Sequence, residues 1–258
     1  MSDRGSRFRS WPAIIALCAA GLALYVIASF AAGLLSGSPV LGAAVAGPVV
    51  LGAVAIWRRR TFGAWSSRTV SGQAQEAQFW VFALLGLMMC FLGGQSLAVW
   101  LYARYGSPVF DAAQSAQGAV PAALLLFALI VAAPAGEEAL IRGLIHPLLR
   151  CRWPVLPSAL VSSVVFAALH GNLVQVAVAL PLGMLLAFVY EHVGRLWPVV
   201  VLHALFNLTS VLVPVHLVEA MATPVVFSTA LVGAASVLMV LHPARGRGDR
   251  DEKTPSPR

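Results

Sequence analysis

Ala133-Pro134-Ala135-Gly136-Glu137-Glu138-Ala139-Leu140-Ile141-Arg142-Gly143 decides how this chain has to fold. Two adjacent carboxylates and a guanidinium stand inside a run that is otherwise largely apolar from about 120 to 149. An ionised side chain at the centre of a membrane helix costs about 2.5–3.5 kcal/mol, so such groups face a protein interior or a water-filled cavity and usually carry function. The stretch therefore predicts a helix bundle closed around it. His170 and His203, in comparably apolar surroundings, are expected at the same place.

The rest of the chain agrees. Of 258 residues, 59% are hydrophobic and only 10% charged, against roughly a quarter charged in soluble domains, and the mean hydropathy is +0.84. This is one polytopic all-α membrane domain. The net charge of +7 would point to nucleic acid in a soluble protein, but the basic residues cluster between apolar spans and form no single face, which excludes that class. Trp11, Trp57, Trp153 and Trp197 sit at span ends, where interfacial tryptophan belongs. Cys18, Cys90 and Cys151 have no ligand or redox spacing and read as apolar filler.

Hydropathy divides the chain into a basic N-terminus (1–10), a membrane domain (11–241) and a charged, Pro/Gly/Arg-rich tail (242–258) expected to be disordered. About eight spans are expected, over 11–35, 40–57, 79–103, 120–149, 155–170, 173–190, 196–213 and 224–241. Arg58-Arg59-Arg60 is expected to stop the second helix, with polar loops over 58–78 and 104–117. Gly93-Gly94 suits close helix packing, and Pro134 with Gly136 should kink or break the fourth span. Eight spans put both termini on one side. If that side is cytoplasmic, 15 of the 17 Lys and Arg lie there, with Arg104 outside and Arg142 inside the fourth span. The positive-inside rule thus predicts a multi-pass protein of the cell membrane with cytoplasmic N- and C-termini.

Helical phase sorts the polar residues. Glu138 and Arg142 are i, i+4 and can pair on one face, which His146 continues. Glu137 is rotated by about 100° from Glu138, so the two carboxylates need not share a task. The economical division holds Glu138 with Arg142 and leaves Glu137 to act on a water. His203 and Asn207 are also i, i+4, and together they can donate hydrogen bonds to a developing oxyanion. A glutamate with His170 and His203 could alternatively hold zinc and a bound water; either arrangement hydrolyses an amide. His146, Glu191, His192, His216, Glu219 and His242 lie near span ends and read as interface residues.

Glu-Glu-x-x-x-Arg (Glu137, Glu138, Arg142), then Phe-x-x-x-His (Phe166, His170), then His-x-x-x-Asn (His203, Asn207), on successive apolar helices, resembles the CPBP family. These are the CAAX-protease and bacteriocin-processing (Abi) intramembrane proteases, including the Rce1-type prenyl-protein endopeptidases. The resemblance covers about 120–210 and implies an intramembrane endopeptidase. It would make Glu137 the base that activates water, His170 the group that helps position it, and His203 and Asn207 the oxyanion donors. Glu138, Arg142 and Phe166 would support the site. The implied substrate is a membrane protein or a lipidated peptide in the bilayer, and a divalent metal such as zinc on His170 and His203 remains an open alternative to the glutamate–water pair.

Two other classes are consistent with buried titratable residues: a transporter or proton relay, and a non-catalytic immunity protein of the same fold. No inverted repeat of the transporter kind is legible. Ideal spans also leave a conflict. His170 falls near the outer end of the fifth span while His203 lies about two turns in from the opposite side, so the two would sit at different depths.

Overall fold

The computed structural model describes residues 10–62 and 77–241. Over them the chain is all-α, with no strand among the described residues. The expected disordered tail, residues 1–9 and the middle of the 58–78 loop lie outside this range. The helices are α1 (Trp11–Ser36), α2 (Pro39–Phe62), α3 (Ala77–Tyr105), α4 (Pro108–Gly118), α5 (Ala122–Arg150), α6 (Val155–Ala168), α7 (Leu173–Val193), α8 (Leu196–Leu212), α9 (Val215–Met221) and α10 (Pro224–Leu241).

Six of these (α1, α2, α3, α5, α7 and α10) are long and apolar enough to cross a membrane. α8 and α9 pass the same test only together, bent by 98° at the break between them. α6 has 14 residues, about 21 Å at 1.5 Å per residue, against a hydrocarbon core of about 30 Å. The described residues thus form a multi-pass helix bundle with six helices long and apolar enough to cross. A bent pair makes a seventh if it counts as one span, and one short apolar helix remains, set against the roughly eight spans expected.

Two expected loops are partly helical. Residues 108–118 form α4 because Ser107 accepts a hydrogen bond from the Phe110 amide at 3.3 Å, Pro108 occupies the first turn and Asp111 faces the helix N-terminus. α2 does not stop at Arg58. It runs on to Phe62, and Arg58 turns inward to donate to Gly143 O at 2.8 Å and Tyr190 Oη at 3.4 Å.

α5 is the centre of the bundle, and neither of its prolines breaks it. Each follows a π-helical turn, Ala128–Ala132 before Pro134 and Ile141–Ile145 before Pro147, the usual way a helix absorbs a residue that cannot continue its hydrogen bonding. In the π register Ala133 N–H bonds Ala128 O, so the next carbonyl, Leu129 O, would take the amide that Pro134 lacks. At Pro147 the acceptor left without a donor is the α-register one, Gly143 O, because Pro147 has no N–H to give it. Side chains fill both vacancies: Asn207 Nδ2 donates to Leu129 O at 2.8 Å, and Arg58 to Gly143 O.

Small residues set the helix separations. α2 meets α5 backbone to backbone, and a Cβ on Gly47 or Gly136 would collide with Ala132 O or with Gly47 Cα respectively. Gly94 seats α3 on Val178 of α7, and Gly93 seats it on Ala230 of α10, as the glycine pair predicted. Gly183 brings α7 onto Ser163 and Phe166 of α6. Glu137 and Glu138 therefore follow directly on the backbone approach of α2 to α5 at Gly136.

Candidate active site

Glu138 and Arg142 have no solvent-exposed side-chain surface and form the expected i, i+4 pair. Arg142 Nη1 donates to both Glu138 oxygens at 2.8 Å, and its Nη2 donates to Gly183 O on α7 at 2.6 Å. The guanidinium carbon lies 5.2 Å from the centroid of the Phe166 ring, a cation–π contact that is strongest where water is excluded. Arg142 Nε has no partner among the described residues. Glu138 is thus paired and hydrogen-bonded within the bundle, the condition under which a buried charge is tolerable.

Glu137 is placed differently. Its side chain retains 12% exposure, and no cation claims it. Tyr25 Oη on α1 donates to Oε1 at 3.2 Å, while Oε2 stands 3.8 Å from His203 Nε2. The other nitrogen of His203, Nδ1, donates to Glu138 Oε1 at 2.8 Å. His203 thus bridges the two glutamates, fixed at one nitrogen by the structural carboxylate and presenting the other beside Glu137. A ring held this way has its orientation set by a second residue.

Phe166 joins the histidines. Its ring is edge-to-face with His170 at 5.4 Å and with His203 at 5.5 Å, so both histidines lie against one side chain. The separation left by ideal spans is not seen: α6 is only 14 residues long, ends before the Gly171 turn with φ +69°, and leaves His170 against Phe166. His170 Nδ1 donates to Phe166 O at 3.2 Å, which leaves Nε2 of the neutral ring as an acceptor. Asn207 is one turn beyond His203 on α8, with its amide on Leu129 O.

Glu137, Glu138, Arg142, Phe166 and His203 are thus linked in one chain of contacts, His170 joins them through Phe166, and Asn207 flanks them one turn beyond His203 on α8. Two participants were not expected from sequence: Tyr25 and the Gly183 carbonyl. Tyr25 left one signal, a tyrosine in the middle of an apolar span, away from the interfaces where tyrosine concentrates. A carbonyl leaves none.

His146 is a correction. It is fully buried rather than interfacial, bonded to Ser162 Oγ at 3.1 Å and to Glu191 Oε1 at 2.8 Å, and Arg150 Nε donates to that same Glu191 oxygen at 2.7 Å. This cluster ties the C-terminal ends of α5 and α7 to the middle of α6. His192 is half-buried and stacks on Phe79 with centroids 4.0 Å apart, while His216 and Glu219 are exposed on α9. His242 lies outside the described residues.

Among the described residues, no three His, Cys, Asp or Glu side chains converge as metal ligands.

A cavity of about 550 Å³ opens beside α2, α5 and α8, lined by Leu51, Ala135, Leu196, Trp197, Val200 and Val201, with Arg195 also on its wall. Val200 is one turn before His203, and Ala135 is two residues before Glu137. The cavity is apolar and carries an exposed tryptophan at a helix start.

Residues 119–209 match the family model described as "Type II CAAX prenyl endopeptidase Rce1-like". The matched stretch contains every residue of the constellation except Tyr25. No curated protein and no solved structure matches the chain.

Proposed function

We propose that this protein is an intramembrane endopeptidase that hydrolyses a peptide bond of a membrane-associated or lipidated substrate. The observation that carries the reading is the inequality of the adjacent glutamates: Glu138 is locked by Arg142 and His203, while Glu137 keeps one oxygen and some exposure for chemistry. Glu137 Oε2 takes the proton of a water held between it and the acceptor Nε2 of His170. The hydroxide attacks the scissile carbonyl, and Glu137 returns the proton to the leaving amine, the work of a general acid–base. His203, donating from Nδ1 to Glu138, donates from Nε2 to the oxyanion when both nitrogens carry protons, with Asn207 as the second donor. The apolar cavity beside Ala135 and Val200 suits an apolar segment or lipid chain of the substrate. The distribution of Lys and Arg supports cytoplasmic termini.

The test uses purified full-length protein in nanodiscs with a quenched-fluorescent peptide library, with and without a chelator. Wild type should cleave in both, and Glu137→Gln should lose at least about 100-fold while its melting temperature holds. Full activity in Glu137→Gln and Glu137→Ala would overturn the reading. Activity that vanishes with chelator and returns with zinc would replace the glutamate–water mechanism by a metal-assisted one.

A further inference from the structure

We propose that Tyr25 is a positioning residue of this site, holding Oε1 of Glu137 so that Oε2 is the oxygen presented to the reacting water. The inference rests on the endopeptidase reading above and adds a residue to it from α1, which lies outside the stretch matched by the family model.

The Tyr25 hydroxyl reaches Glu137 across 112 residues of sequence. A phenol placed in mid-span cannot reach interfacial water, and an unpartnered buried hydroxyl costs about 1–3 kcal/mol, so it needs an acceptor inside the bundle. Glu137 is that acceptor. α1 packs on the core through half-buried side chains such as Leu17, Leu22 and Tyr25 itself, and of its 26 residues only Ile14 and Gly21 are buried. Gly21 is one turn before Tyr25 on the same face, and a Cβ there would press into the Leu140 and Leu144 side chains of α5. The glycine therefore allows the approach that brings the hydroxyl to Glu137.

The chemistry follows from the two oxygens of one carboxylate. With Oε1 engaged by Tyr25 and Oε2 beside His203 Nε2, rotation about the terminal bond of Glu137 is opposed from one side. A free carboxylate rotates broadly about that bond. Removing the hydroxyl leaves the base in place but unoriented, and orientation is a large part of what a site contributes to rate. Tyr25 gives up no proton and touches no reacting atom.

The test is Tyr25→Phe in the full chain in nanodiscs, assayed on the best-cleaved member of the peptide library. Phe keeps the ring packing, so the melting temperature should be unchanged. The kcat should fall about 10- to 100-fold, the usual worth of a hydrogen bond to a charged group, with KM within about twofold. Gly21→Leu, which pushes α1 off α5 without touching the hydroxyl, should lower kcat in the same way. Independently of activity, infrared difference spectra of Tyr25→Phe against wild type should show a carboxylate-stretch change that is absent from the same comparison in a Glu137→Gln background. Wild-type kcat in Tyr25→Phe, a raised KM at unchanged kcat, or no carboxylate change would overturn the proposal. A wild-type protein that cleaves no library member would count against the endopeptidase reading alone, and the infrared comparison would still decide Tyr25.

Discussion

Adjacent in sequence, Glu137 and Glu138 differ in what removing each should do. Glu138 carries three donated hydrogen bonds in a site without exposure, so Glu138→Ala or Arg142→Ala leaves an unpaired buried charge. Each should destabilise the protein by about 3–5 kcal/mol, measured by reversible unfolding in bicelles. Arg142→Lys should not rescue, because one ammonium cannot span both the Glu138 carboxylate and Gly183 O. Glu137→Gln, by contrast, should unfold like wild type. The pairing of Glu138 with Arg142 was legible from their spacing. The bridging role of His203 was not, since nothing local ties it to residues 65 positions away.

Among the elements, α5 teaches most. Pro134 with Gly136 announced a kink or a break, and the helix runs on through two π turns and hands two carbonyls to side chains of other helices. Pro134 and Asn207 should therefore be coupled. In a double-mutant cycle, Asn207→Leu should cost about 1–3 kcal/mol in the wild-type background and distinctly less with Pro134→Ala, whose restored amide competes for Leu129 O. Additive losses would refute the coupling. The crossing of α2 with α5 gives a second contrast. Gly47→Ala drives a methyl into the Ala132 carbonyl and should lower both melting temperature and cleavage rate. Gly52→Ala on the same helix meets nothing within 4 Å and should be neutral or stabilising by up to about 1 kcal/mol. The helix over 108–118, by comparison, carried its signals openly in Ser107, Pro108 and Asp111, beneath the stronger impression of a polar loop between spans.

For the molecule as a whole, the orientation proposed from Lys and Arg can be measured directly. With cytoplasmic termini, Gln114→Cys on exposed α4 should react with a membrane-impermeant maleimide in intact cells. Cys151, exposed at the opposite end of α5, should react only after permeabilisation; the reverse pattern would invert the topology. The linear chain was enough to establish a helical membrane bundle, the order of the polar residues and their grouping by helical phase, because hydropathy and the 3.6-residue period are local properties. It was not enough for the meeting of His170 and His203 on Phe166, the inward turn of Arg58 and His146, or the contact of Tyr25 with Glu137. Those depend on where a short helix ends and how closely backbones cross at Gly47, Gly136 and Gly183. Such crossings join residues far apart in sequence, and no periodicity along one helix records which side chain another helix will bring against it.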